Sequence, residues 1–172
     1  MIKTTPPSQQ HILDVDLHLT DANWQHERPS ALVVACSDGR LQQNLDDFLH
    51  NALGIIDYDR LYTPGGGGAL AISGSELLRS DAYRHECQFL LKAHQITDIY
   101  FMFHGPSEDG PDESLCADYR RKFPNATAHQ VRTQQQIDAR ELQSVDWGMP
   151  VRIHAYRCEV RHDGRVQFVR LL

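Results

Sequence analysis

The hydrophobic positions of the chain change from a continuous run to a helical period and back, and each change predicts an element. Residues 31–36 form an unbroken apolar run, which is typical of a strand buried on both faces of a parallel sheet. From residue 40 the apolar positions follow a helical period that ends at Gly54, the usual place of a C-terminal cap. A second apolar strand is predicted at 99–103.

Shorter signals complete the pattern. They predict a strand at 60–63, helical sequence from 69 to 94 that breaks at Ser80 and Asp81, helices near 115–122 and 130–143, and a terminal hairpin that turns at 162–164. Strands that alternate with helices are typical of crossovers between parallel strands. The sequence therefore predicts a single α/β domain with a central, mostly parallel β-sheet flanked by helices.

Length and charge narrow the classes of protein that remain. At 172 residues the chain suits one domain, predicted at 29–172, with the polar range 1–28 as an arm that packs on the domain or on a partner subunit. The net charge of -6 argues against a nucleic-acid partner. The longest apolar run has six residues, far short of the roughly 20 that cross a bilayer, and no secretory signal is visible. We expect a cytoplasmic protein without a membrane partner.

Two of the predicted strands finish on side chains that bind metals. Cys36 closes the first strand and His104 closes the third, and ligands of open α/β sheets bind at this end of the strands. Asp38 and Arg40 lie in the turn after Cys36. A thiolate, an imidazole and a carboxylate at one sheet edge predict a zinc site. Taken singly, Cys36 is also compatible with a core cysteine at a strand end, and His104 with a capped surface histidine.

Three segments resemble one known family, the β-class carbonic anhydrases. The sequence CSDGR at 36–40 resembles the family's Cys-x-Asp-x-Arg motif, and HECQFLLKAHQITDIYFMFHG at 85–105 resembles the helix and strand that deliver the zinc-binding histidine. The closing YRCEVRHDGRVQFVRL at 156–171 is similar to the family's terminal pair of strands. The resemblance covers the chain from about residue 29 to its end.

The resemblance implies a zinc enzyme that hydrates carbon dioxide to bicarbonate. Cys36 and His104 would bind Zn²⁺, and Asp38 and Arg40 would form a hydrogen-bonded catalytic dyad beside it. Zinc lowers the pKa of a bound water towards 7, which gives a hydroxide that attacks the carbon of CO2 or of a related small electrophile such as carbonyl sulfide or carbon disulfide. The family is built from dimers, so the resemblance also implies a homodimer or a higher homo-oligomer.

Two segments depart from the family pattern. Ser107 stands where the family has its second zinc-binding cysteine, and TPGGGGAL replaces an arginine-containing segment. We predict that Cys116 supplies the missing thiolate from a helix start after a loop insertion. The acidic side chains of that loop are competing candidates; they are Glu108, Asp109 and Asp112.

Other functions remain open at this point. The main alternative is a carbonic anhydrase-like binding or regulatory protein without catalytic activity. The pattern Gly66-x-Gly68-x-x-Ala71 weakly suggests a dinucleotide site, but glycines that let the backbone pass close to the metal site are the favoured interpretation. A cysteine phosphatase is disfavoured because Gln42 stands where its arginine is required.

Overall fold

The computed structural model describes residues 17–73 and 77–172. Its strands are β1 (Ala31–Ala35), β2 (Asp59–Tyr62), β3 (Asp98–Pro106), β4 (Arg152–Val160) and β5 (Val166–Arg170). Its α-helices are α1 (Gln42–Asp47), α2 (Leu77–His94), α3 (Ala117–Lys122) and α4 (Ala128–Gln143). The strands form one sheet in the order β2-β1-β3-β4-β5, parallel except for the antiparallel β4–β5 hairpin. The predicted α/β domain with a mostly parallel sheet is confirmed.

The predicted break at Ser80 and Asp81 is wrong, because α2 runs through both residues. The Ser80 hydroxyl donates to the Leu77 carbonyl one turn earlier, a local bond that is compatible with the helix. Asp81 is exposed and lies 3.6 Å from His85, one helical turn later. The helical sequence predicted before the break is observed only in part: Ala69 ends a 3₁₀ turn, Gly66–Ala69, residues 70–73 are not helical, and Leu77 and Leu78 belong to α2. Residues 74–76 lie outside the described part of the chain.

The sheet is covered on both faces, as the unbroken apolar run of β1 requires. Leu32 and Val34 point towards a core that α2, α3 and α4 complete, whereas Ala31, Val33 and Ala35 point towards α1 and the π-helical segment Phe48–Ala52 that continues it. Gly54 follows this segment with a φ of 70°, in agreement with the predicted helix end.

The candidate site lies next to the boundary between β1 and β3, where the order of the strands along the sheet reverses direction. The chain leaves β1 towards β2 on one side and leaves β3 towards β4 on the other. Because these connections diverge, a crevice opens at the carboxyl ends of β1 and β3, where ligands of open α/β sheets bind. Cys36 and His104 both lie at this edge.

The glycine run packs directly against this edge. Gly66 has a φ of 55°, and a side-chain carbon there would lie 2.8 Å from the Cys36 nitrogen and still closer to the Met102 carbonyl. Only glycine fits both the conformation and the space. The close backbone approach that was predicted for the glycines is therefore present at Gly66.

The prediction of an arm at 1–28 falls largely outside the described residues, since 1–16 are not described. All residues of the described part, 17–28, are exposed. Its last residue is attached to the domain, because the Arg28 guanidinium donates to the Ala93 carbonyl at 2.9 Å. No helix within 17–73 and 77–172 combines the length and apolar character needed to cross a membrane.

Replacing Gly66 by alanine tests the close approach of the glycine run. We expect a loss of about 3 kcal/mol or more in the free energy of unfolding, because left-handed strain and overpacking act together. Gly54→Ala is the matched control: its φ is also positive, but nothing lies within 4 Å of the added carbon. It should cost about 1–2 kcal/mol. Equal losses in urea denaturation would contradict the close approach.

Candidate metal centre

Cys36, His104 and Cys116 come together at the crevice. Each offers one ligand atom, and the three atoms all lie within 4.8 Å of one another. It is the only group of three or more histidine, cysteine or acidic side chains with metal-binding spacing in the part of the chain that the structure describes. The two thiols come from residues 80 positions apart in the sequence, so the group depends on the tertiary fold.

Cys36 is held by an extension of the β1–β2 ladder. The Thr63 N–H donates to the Ala35 carbonyl at 3.0 Å, and the Ser37 N–H donates to the Thr63 carbonyl at 3.2 Å. These bonds continue past the last residue of β1, so the backbone on both sides of Cys36 is fixed against β2.

His104 is the third residue from the end of β3, and Cys116 stands at the N-cap of α3. A 3₁₀ turn, Asp112–Ser114, brings the chain back from the end of β3 to the crevice. Its bonds run from the Ser114 N–H to the Pro111 carbonyl and from the Leu115 N–H to the Asp112 carbonyl. The loop insertion predicted between His104 and Cys116 is thus the segment that returns the second thiol.

The imidazole of His104 is oriented for metal binding. Its Nδ1 lies 3.2 Å from the Ser114 carbonyl oxygen, and because a carbonyl only accepts, Nδ1 carries the proton. Nε2 is then a lone-pair acceptor, and it is buried without a hydrogen-bond partner among the described residues. A buried polar atom without a partner is costly, and a metal ion bound between it and the two thiols removes that cost.

The two thiols shift each other's pKa in opposite directions. The pKa of Cys36 is lowered, first by the Cys116 thiol beside it and then by His104, whereas the thiolate of Cys36 and burial raise the pKa of Cys116. One thiolate therefore forms readily and the second resists ionisation. A divalent cation would displace the second proton, so metal binding at this site should release protons.

Asp38 and Arg40 are paired at the mouth of the crevice. Arg40 Nε donates to Asp38 Oδ1 at 2.9 Å and Nη2 donates to Oδ2 at 2.6 Å, and the backbone N–H of Arg40 adds a third bond at 3.1 Å. This pairing, chiefly the side-chain bonds from Arg40, lowers the pKa of Asp38 to about 2. The carboxylate is therefore charged at any pH near neutral.

The same Asp-Gly-Arg sequence recurs at the β4–β5 hairpin with similar bonds. The Arg165 N–H donates to Asp163 at 3.1 Å and Arg165 Nε donates to it at 2.8 Å. The pKa of Asp163 is lowered for the same reason. The pairing is thus a local property of the tripeptide, and what distinguishes Asp38 is its position beside Cys36 and His104.

An apolar cavity of about 70 Å³ opens beside the metal-binding group. Its wall includes Cys36, Asp38 and His104, together with hydrophobic side chains from three elements: Leu45, Met102 and Phe168. Phe168 is held by a stack on Phe48, with ring centroids 4.1 Å apart. The cavity has room for a small molecule of a few heavy atoms and offers it mainly apolar surface.

The loop residues that competed with Cys116 in the sequence lie elsewhere. The Ser107 hydroxyl donates to Asp109 at 2.8 Å, and its N–H donates to the Val160 carbonyl. Glu108 is exposed near Arg132, and Asp109 pairs with His162 at 2.8 Å. None of the acidic residues of the loop joins the metal-binding group.

Sequence reasoning missed the groups that support His104. The Ser114 carbonyl is a backbone atom, so no residue type marks it. Gln135 is fully buried in α4, and its amide donates to the His104 carbonyl at 2.9 Å. A glutamine at an apolar helix position, between Val131 and Ala139 on the buried face, was the only signal for it.

No protein-family model matches the sequence, and no curated protein matches it. Solved structures similar to the chain include a β-carbonic anhydrase from Trichomonas vaginalis (TM-score 0.48, 16% identity, 94% of this chain and 92% of that one) and a carbonic anhydrase from Glaciozyma antarctica (0.47, 16%, 85% and 83%). A carbon disulfide hydrolase is also similar (0.45, 13%, 82% and 78%). These similar structures include members of the family that the sequence resembles.

Titration of Asp38 by carboxyl-carbon NMR tests the ion pair. Arg40→Gln should raise the pKa of Asp38 from about 2 towards the ordinary value of about 4, whereas Arg165→Gln should raise that of Asp163 only. Because the folded pKa lies below the unfolded one, the pair stabilises the fold above about pH 4, and this contribution is lost as the pH falls towards 2. An unchanged pKa of Asp38 in Arg40→Gln would contradict the pairing.

Proposed function

We propose that the chain is a zinc-dependent lyase that hydrates carbon dioxide to bicarbonate at the Cys36–His104–Cys116 site. The observation that carries the proposal is His104: its buried Nε2 has no hydrogen-bond partner among the described residues, and a ring nitrogen of this side chain lies within 4.8 Å of both thiol sulfurs. Its other ring nitrogen is already engaged by a carbonyl, which is the usual arrangement behind a metal-bound histidine.

The donor set fits zinc better than a hard cation. Two thiolates and one neutral imidazole are ligands that zinc prefers, whereas magnesium and calcium prefer oxygen. Three protein ligands leave one position for solvent or substrate, as in catalytic zinc sites. Bound zinc would supply a Lewis acid that makes a water molecule nucleophilic near neutral pH.

Asp38 is proposed to accept a hydrogen bond from the nucleophile and to orient it. Its carboxylate lines the cavity beside Cys36 and His104, and it stays charged at neutral pH because Arg40 lowers its pKa. Arg40 occupies both carboxylate oxygens, so Asp38 has a fixed orientation and a limited capacity to accept further bonds. These two properties suit an orienting group rather than a metal ligand.

The cavity is proposed to bind the neutral substrate. Leu45, Met102 and Phe168 offer apolar surface to an uncharged linear molecule, and they exclude the water shell that an anion would carry. Carbon dioxide fits this description, and so do carbonyl sulfide and carbon disulfide. The charged product would leave past Asp38 and Arg40, towards the wider cleft that these two residues also line.

A homo-oligomer is also part of the proposal, with 29–172 as the domain and 1–28 as an arm on a second copy. Leu17, Leu19 and Trp24 are large hydrophobic residues that are 78–88% exposed in the described part of that arm. A second chain that covered them would bury apolar surface that this chain alone leaves in water.

Cobalt substitution tests the ligand set. The intensity of thiolate-to-cobalt charge transfer should correspond to two thiolates in the wild type, one in Cys36→Ser and one in Cys116→Ser, and His104→Ala should retain little metal. Cys158→Ser is the matched control, because Cys158 is a buried thiol paired with His104 across β3 and β4 but outside the metal-binding group. Two thiolates remaining in Cys116→Ser would remove it from the site, and a wild type without metal would favour the non-catalytic alternative.

Stopped-flow measurement of carbon dioxide hydration tests the role of Asp38. Asp38→Asn should lower kcat about 100-fold while zinc stays bound, because a nucleophile that is no longer held in the reactive orientation loses a factor of about that size. Asp163→Asn removes the corresponding carboxylate from the second Asp-Gly-Arg sequence and should leave the rate unchanged. Full activity in Asp38→Asn would contradict the proposed role, and loss of zinc would make Asp38 a ligand instead.

A further inference from the structure

A chain of buried polar side chains lies behind His104, on the side away from the cavity. Gln135 from α4 and Arg157 and Glu159 from β4 are each no more than 1% exposed. Arg157 Nε donates to Gln135 Oε1 at 2.7 Å, and Arg157 Nη1 donates to Glu159. Glu159 also accepts from Arg132 at 2.9 Å and from Gln167 at 2.8 Å, so its charge is compensated.

This network ends on the backbone that carries His104. Gln135 Nε2 donates to the His104 carbonyl at 2.9 Å, and Arg157 Nη2 donates to the Pro106 carbonyl at 2.9 Å. Gly105 lies between these two carbonyls, and a side-chain carbon there would come within 2.7 Å of Arg157 Nη2. The network thus binds the backbone on both sides of Gly105 at the end of β3.

The end of β3 requires such support because one of its neighbours stops early. β1 pairs with β3 only as far as Phe101, whereas β4 follows β3 to Pro106. The last five residues of β3, His104 among them, therefore have a strand on one edge only. Gln135 supplies a hydrogen-bond donor to this part of the strand from the helix layer.

Burying the charges of Arg157 and Glu159 costs desolvation free energy. Burial lowers the pKa of Arg157, because desolvation disfavours its charged form. Apolar residues of similar volume often give equal or greater stability than a buried ion pair. Stability alone therefore does not explain the network, whereas its contacts with the residues around His104 suggest a role at the metal centre.

We propose that Gln135 is a positioning residue of the metal centre: its amide holds the His104 carbonyl, and Arg157 locks the amide so that it can only donate there. The backbone of His104 is then bonded to Gln135, and its ring is bonded to the Ser114 carbonyl. Nε2 can therefore bind a metal together with the two thiols without a change in the position of the side chain. This inference rests on the proposed metal site, and its test separates the two.

Gln135→Glu removes the donor to the His104 carbonyl and adds a negative charge beside Arg157. The carboxylate keeps the shape of the side chain and the acceptor for Arg157, but it presents an oxygen to the His104 carbonyl. Gln136→Glu is the matched control, because Gln136 is the next residue of α4 and its Nε2 donates to a different backbone carbonyl, that of Leu171, at 2.7 Å. Both variants carry the same change of charge on the same helix.

We expect Gln135→Glu to bind zinc 10- to 100-fold more weakly in competition with a chromophoric chelator, which is the usual effect of losing a group that orients a ligand. Gln136→Glu should match the wild type. In the metal-free protein, the imidazole ¹⁵N shifts of His104 should move in Gln135→Glu and not in Gln136→Glu. Unchanged shifts in Gln135→Glu, or equal changes in both variants, would overturn the proposal.

The double variant Gln135→Met with Arg157→Met keeps the test decisive if Gln135→Glu does not fold. Glu159 retains Arg132 and Gln167 as partners, so we expect a Tm at or above that of the wild type together with altered His104 shifts and weaker zinc binding. Wild-type shifts in this stable variant would assign the network to folding alone. If the wild type binds no zinc, the proposed function fails, and the shifts still decide the role of Gln135.

Discussion

The pairing of β1 with β3 is the constraint on which the rest of the structure depends. It makes neighbours of two strands that lie more than 60 residues apart, and it does so at the point where their outgoing connections diverge. Cys36 and His104 meet there because of this pairing, and the glycine run passes close enough to Cys36 only because Gly66 has no side chain. The second thiol is then brought to the same edge by the segment that follows β3, and side chains of α1, β3 and β5 complete the cavity.

Interactions around this edge differ in how local they are. The Asp38–Arg40 pair forms within one turn, and the recurrence of its bonds at Asp163 and Arg165 indicates that the tripeptide itself is sufficient for it. The orientation of His104, by contrast, requires the Ser114 carbonyl from a distant turn and the Gln135 amide from α4. The local turn thus orients the charged carboxylate of Asp38, and the tertiary fold brings Cys36 and His104 next to it.

The same distinction explains how much of the protein could be predicted from its sequence. The apolar run of β1, the helical period after it and the terminal hairpin are local patterns, and the structure agrees with them. The break predicted in α2 failed because Ser80 and Asp81 form local bonds that a helix tolerates. The proximity of Cys116 to Cys36 was a hypothesis from ligand count. The polar Gln135 on the apolar face of α4 was a local signal of a buried amide, but nothing local tells which strand that amide supports.

X-ray absorption at the zinc edge, on protein purified without chelators, tests the central claim most directly. Each ligand type has its own distance to zinc, about 2.3 Å for a thiolate and about 2.0–2.1 Å for an imidazole. The account predicts one zinc per chain with two sulfur neighbours, one imidazole nitrogen and one further light atom. A first shell with a single sulfur, or with oxygen and nitrogen only, would contradict it.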